Sequence, residues 1–238
     1  MPLITGSVEQ SIETSHWVGW ADQDYLGARV LLLSGFVVQG TTQAATAVEK
    51  YLKAVCTLSN TPFKNVKHNV SKLNGLLHSR GIKLDLDAEF LKLLNKAFEL
   101  RYPDELGVGF NVALNSIAIL VQLDSSVQRI RRGFTFFKPG RVATTRLDHA
   151  LATRATELVT KNCAFGDASK EMLFAEPSWS YELRVFPHRG IMEVSYVTEK
   201  IAEDGNFRRT AMTPVPGSDG RSFNLAWLPK QEAPQQNA

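Results

Sequence analysis

Two groups of residues carry the types and spacing from which chemistry on an anion could be built. The first is Arg101-Tyr102-Pro103-Asp104-Glu105, where a guanidinium sits beside a phenol and two carboxylates. Arg101 could hold an anion by charge and hydrogen bonding, but no base is evident beside it in the chain. The competing reading is an ordinary ion pair between Arg101 and Asp104 or Glu105 at a helix end. The second group is Gln128–Arg141, QRIRRGFTFFKPGR. Here Arg129, Arg131, Arg132, Lys138 and Arg141 occur without an acid, and Phe134, Phe136 and Phe137 lie among them. Cations that track phosphates and rings that stack on bases grip single strands without sequence preference. A linker pinned by its phenylalanines, with solvated arginines, would have the same composition.

Other chemistries find less support. His149, His188, Cys163, Asp148 and Glu182 include no close pair at metal-ligand spacing, so no metal is expected. Neither a glycine-rich phosphate loop nor a Gly-x-Ser-x-Gly elbow occurs, and no cofactor is expected. The net charge of +3 is mild, so any nucleic-acid partner must be met by local clustering. Two cysteines, Cys56 and Cys163, are too few for a disulfide framework. No apolar run is long enough to span a bilayer, and the first ten residues lack a signal-peptide layout, which predicts a cytoplasmic protein without membrane association.

The elements that must position these groups are mostly helical. Thr42–Asn60 sets Ala44, Ala47, Val48, Tyr51, Leu52, Val55 and Leu58 on one stripe, with Gln43, Thr46, Glu49, Lys50, Lys53 and Thr57 opposite. This predicts a core helix with one wet face. Before it, a helix from His16 to about Gly35 places Trp17, Trp20, Ala21, Asp24, Ala28, Leu31 and Leu32 together, and Asp24 needs a partner such as Lys50 or Lys53. A short connection near Gly40 makes the two antiparallel neighbours. Third and fourth helices follow, the one ending at Gly81 and the other capped by Asp85 or Asp87, and a fifth spans about Val108–Ile130. Helices one and five carry more apolar surface than one bundle interior needs.

The segments QAATAVEKYLKAV, KHNVSKL and LRYPDE, in that order and over His16–Arg132, resemble the HEPN domain. The resemblance implies a helical up-and-down bundle, a homodimer, and a prokaryotic role centred on RNA or nucleotides, often in toxin–antitoxin, phage-defence or regulatory loci with a cognate protein partner. Many members are metal-independent ribonucleases with an Arg and a His separated by four to six residues; others bind or regulate. Counted from Arg101, the matching positions are Leu106, Gly107 and Val108. Arg146 precedes His149, and Arg184 precedes His188, at shorter spacings. The reading is therefore a non-catalytic RNA-, nucleotide- or partner-binding protein. The alternative is a ribonuclease with a different constellation around Arg101, Tyr102 and His68 or His78.

Past Pro139-Gly140 the pattern changes. Thr144–Lys161 predicts one amphipathic helix, followed by a loop with a short helix. After Pro177 the hydrophobic period becomes two, and three turn signals predict a four-stranded antiparallel meander through Ser222–Leu228. The expected organisation is α+β and mainly α: a flexible arm over 1–15, a HEPN-like bundle over 16–140, a helix plus β-meander over 141–230, and a disordered tail over 231–238.

Overall fold

The computed structural model describes residue 4 and residues 6–133, 137–138, 141–142, 144–186 and 190–201. Ser7 opens α1 (Val8–Leu33): its hydroxyl accepts from the Gln10 amide while the Gln10 side chain accepts from the Ser7 N–H, so two orphan donors of the first turn are satisfied at once. Helix therefore begins well inside the expected 1–15 arm. Gly35, at φ +83°, turns the chain back into α2 (Val37–Leu58). A Cβ on Gly40 would stand 2.6 Å from Leu32 Cγ, and this close crossing seats the hairpin.

All seven stripe residues of α2 are buried. The expected wet face is not wet, because Glu49 and Thr57 are buried too and Gln43, Thr46, Lys50 and Lys53 are only partly exposed. The cause is packing of α1, α3, α4 and α5 around α2, more neighbours than one apolar stripe predicts. Asp24 does find Lys50, at 2.5 Å, and also accepts from Gln43 Nε2 at 2.7 Å.

The side chain of Asn69 caps α3 (Val70–Ser79), and that of Asp87 caps α4 (Ala88–Glu99). A 3-10 turn, Pro103–Glu105, follows. The expected fifth helix starts later than its apolar pattern suggests: Asn111–Asn115 is strand β1, and α5 is Ser116–Arg132, capped by the Asn115 side chain at the Ala118 N–H, 3.0 Å. A short apolar run reads equally as strand or helix until its partner is known. That partner is β4 (Ser178–Phe186), antiparallel to β1 from Asn111↔Arg184 to Asn115↔Ser180. Next to β4 lies β5 (Gly190–Thr198), giving sheet order β1-β4-β5. The sheet thus draws one strand from the helical half and two from the other, across the boundary expected at 140/141. The further strands expected at Phe207–Thr213 and Ser222–Leu228, and the 231–238 tail, lie outside the described residues.

Between the bundle and β4, the two-residue strands β2 (Phe137–Lys138) and β3 (Arg141–Val142) pair with each other. The single helix expected over Thr144–Lys161 is two: α6 (Arg146–Ala152) and α7 (Thr156–Val159), parted where Arg154 takes φ +49°. A short α8 (Lys170–Phe174) precedes β4. Polar side chains on α1 hold this region. The Asp22 carboxylate accepts from the Leu147 N–H of α6 at 2.8 Å and from Tyr51 Oη at 2.6 Å. Burial, with Asp22 adjacent, pushes the Tyr51 phenol well above its ordinary value and keeps it a donor. The Arg29 guanidinium pairs with Asp124 of α5 and donates to the carbonyls of Glu157, at 2.8 Å, and Thr160, at 2.5 Å. The molecule is α+β and mainly α, as its sequence pattern predicts.

Candidate nucleic-acid interface

The basic and aromatic residues that come together in space are not those clustered in sequence. Within Gln128–Arg141, Arg129 donates to the Asp85 carbonyl and Arg131 donates to Asp148 Oδ1 at 3.0 Å and Thr145 Oγ1 at 3.2 Å. Arg131 is thus engaged within the fold, while Arg129 stays exposed with one bond to a backbone carbonyl. Arg132 is exposed. The backbones of Lys138 and Arg141 pair across β2 and β3, while their side chains, and Phe136 entirely, lie outside the described residues.

Across the other side of α2 a continuous path of contacts links α1 to α4. Trp20 of α1 is half-exposed and meets Trp17 edge to face at 5.7 Å. The indole of Trp17 lies under the Lys53 ammonium, 5.2 Å from its ring centroid, and also meets Phe63 edge to face at 6.2 Å. Lys53 donates to Glu49 Oε1 at 2.5 Å, and the second oxygen of that buried carboxylate stands 3.0 Å from His68 Nδ1. The imidazole then stacks on Phe98, with centroids 4.6 Å apart and planes 18° from parallel. Finally the Arg101 guanidinium lies 5.0 Å from the centroid of the same Phe98 ring.

Local sequence explains each position. Lys53 follows Glu49 by four residues on α2, which puts both on one face. Phe98 sits in the last turn of α4, so its ring is presented at the helix end where Arg101 leaves it. The break at Thr61-Pro62 sends the chain out through Lys64 and Lys67, both exposed, and returns it at His68 just before the Asn69 cap of α3. Hence His68 and Arg101, far apart in sequence, share one aromatic ring, and Arg101 is held there over Phe98. Tyr102 is half-exposed beside it. His78, in the last turn of α3, is exposed.

Chemically, the path presents three kinds of group. Trp20 and His68 offer exposed rings, Lys64, Lys67 and Arg101 offer exposed cations, and the one buried carboxylate, Glu49, is balanced by Lys53 and bonded to His68. With Nδ1 committed to Glu49, Nε2 is the imidazole nitrogen that this contact leaves unused. Sequence reading named His68 and Arg101 but missed Glu49, Phe98, Trp17 and Trp20 as their company. The signal was available in part: Glu49 is a carboxylate on the flank of an apolar stripe, and Trp20 a large ring at a helix edge.

Among the described residues, no group of three His, Cys, Asp or Glu side chains could hold a metal ion. Asp148 is spent on Arg131, and Glu182 accepts from Tyr196 Oη at 2.6 Å. No helix of the described residues is long and apolar enough to cross a membrane.

The bundle, built on an α1–α2 hairpin, carries this cation–aromatic path on one flank. Residues 14–119 match the family model of the HEPN domain. The match begins within α1, takes in α2 to α4, β1 and the start of α5, and includes every residue of the path from Trp17 to Arg101. No curated protein and no solved structure matches the chain.

Proposed function

We propose that this protein binds single-stranded RNA, or a nucleotide, along the path from Trp20 to Arg101, without cleaving it. The observation that carries the reading is the unbroken series Trp20, Trp17, Lys53, Glu49, His68, Phe98, Arg101, in which each side chain touches the next and exposed rings, Trp20 and His68, and an exposed cation, Arg101, share one flank. Exposed rings with a cation nearby suit a strand whose bases stack while its phosphates are neutralised. Fluorescence anisotropy with a labelled single-stranded RNA tests it: Trp20→Ala and Arg101→Ala should each weaken binding. Equal affinity in both variants and the parent would remove the proposal's support. A homodimer acting with a cognate partner in a toxin–antitoxin, defence or regulatory system belongs to the same proposal and rests on the HEPN resemblance.

A second reading is favoured by one specific feature, the Glu49–His68 contact. A carboxylate that orients an imidazole readies its outer nitrogen to take a proton from a ribose 2′-hydroxyl. The 2′-oxygen would then attack phosphorus to form a 2′,3′-cyclic phosphate as the P–O5′ bond breaks and the leaving 5′-oxygen takes a proton from water, with Arg101 stabilising the phosphorane charge. Incubation of RNA with the purified protein in chelator separates the two readings. The binding reading expects intact RNA, and the second expects cleavage that His68→Gln and Arg101→Ala both abolish.

A further inference from the structure

β5 is an edge strand left without the usual protection. Its residues pair with β4 one to one, from Thr198↔Ser178 to Gly190↔Phe186, so no bulge turns it away, and no other strand among the described residues pairs with its outer side. The opposite edge, β1, is short and mostly buried, whereas in β5 only Thr198 is buried. Natural edges are blunted by lysine, proline or a bulge, because a row of unpaired N–H and C=O groups is a template for another chain. Gly190–Thr198, GIMEVSYVT, contains neither lysine nor proline.

A groove of ≈ 670 Å³ lies between this part of the sheet and the turn that joins α1 to α2. Ile191, Glu193 and Ser195, alternate residues of β5 and so on one face, line it. Its apolar walls include Phe36, Val38, Leu100 and Leu183, and Phe36 is 57 % and Ile191 44 % exposed. Trp179 seats the sheet on the turn, so closely that a Cβ on Gly35 would stand 2.8 Å from its indole. Glu193 is the one charged residue of the lining. Its Oε2 accepts from Tyr181 Oη at 2.8 Å, which fixes the carboxylate, while Oε1 has no partner among the described residues. Burial and this carboxylate raise the Tyr181 phenol above its ordinary value, so it stays a donor.

An unpaired strand edge beside an apolar groove suits an extended segment that joins the sheet: main-chain hydrogen bonds hold it, and its alternate side chains enter the groove. Charge selects the occupant. The β5 strand of a second copy would bring the same carboxylate and neither lysine nor arginine, so a different chain that carries a cation is the better complement. We infer that β5 receives an extended segment of a partner protein as an added strand, with apolar side chains over the Phe36–Ile191 groove and a lysine or arginine on Glu193. Both β4 and β5 lie outside residues 14–119, and the inference does not draw on the RNA-binding reading.

The test is fluorescence anisotropy of the full chain with a labelled peptide as long as β5, in which isoleucine alternates with threonine and one arginine takes the central place on the isoleucine face. It should bind with a Kd below about 100 μM. The same peptide with glutamate for arginine should bind about tenfold more weakly, and Glu193→Lys, at an exposed position, should reverse that order without changing the melting temperature. Phe36→Ala should weaken the arginine peptide about tenfold. N-methylation of one alternating set of peptide amides should abolish binding and methylation of the other set should not, because only one set faces β5. No binding of the arginine peptide at about 1 mM, the result expected if a second copy or a later part of this chain holds the edge, overturns the inference. So does binding indifferent to Glu193→Lys, or to both methylations.

Discussion

Arg29 of α1 and Asp124 of α5 form an ion pair at the centre of the molecule, both side chains wholly withdrawn from water. Asp124 also accepts from Tyr25 Oη at 2.7 Å, and Arg29 reaches the carbonyls at the end of α7, so the pair joins the helical bundle to the segment that follows it. Removing one partner leaves an uncompensated buried charge. Arg29→Met should therefore cost about 3–5 kcal/mol in urea unfolding, and the double change Arg29→Met with Asp124→Leu should recover much of that loss. A single-variant cost under about 1 kcal/mol would show that the pair does not hold these elements together.

The Arg131–Asp148 contact, with side chains 14 % and 38 % exposed, is a weaker tie between α5 and α6. Arg131→Ala should lower stability by about 1 kcal/mol and leave the affinity for single-stranded RNA unchanged. Parallel thermal melts and anisotropy titrations check both halves. A loss of RNA affinity without loss of stability would return the interface to the 128–141 segment.

Cys56 gives a pH signature. Its thiol is raised by burial to about 12, against about 8.5 for an unfolded cysteine. A raised folded value means that the stability it contributes is fully present below the unfolded value and is lost as pH rises through the folded one. Between about pH 8.5 and 12, the parent should lose stability faster than Cys56→Val, as read from urea midpoints at a series of pH values. In native protein at neutral pH, Cys56 should also resist alkylation that it accepts once unfolded.

Assembly follows from where the surplus apolar surface lies. Val8, Ile12 and Val30 of α1 are exposed, whereas the apolar residues of α5 are all buried within the chain. The homodimer proposed from the HEPN resemblance should therefore use α1. Light scattering should give twice the chain mass at micromolar concentration, and Ile12→Asp with Val30→Asp should reduce it to the monomer. A monomer mass for the parent would refute the proposal.

Much of this architecture is legible in the sequence because it is local. The α2 stripe, the Asp87 cap and the break at Pro103 follow from periodicity and capping chemistry that neighbouring residues decide. What escapes is set by contacts distant along the chain. Asn111–Asn115 becomes a strand because β4 pairs with it, and Thr153–Ala155 interrupts a helical pattern in the segment whose later carbonyls, at Glu157 and Thr160, turn to Arg29. The same holds at the interface. Arg129 and Arg131 look free in the sequence but meet Asp85 and Asp148 in the fold, while His68 and Arg101 look unrelated and meet at Phe98.

The most direct test of the RNA-binding account is the salt dependence of single-stranded RNA affinity, measured on the parent, Arg101→Ala and Trp20→Ala. If Arg101 neutralises a phosphate, its loss should flatten the log–log salt slope by about 0.7. If Trp20 stacks on a base, its loss should cost about 1–3 kcal/mol and leave the slope unchanged. An affinity independent of salt, or a slope that neither Arg101→Ala nor the pair Lys64→Ala and Lys67→Ala alters, would contradict it.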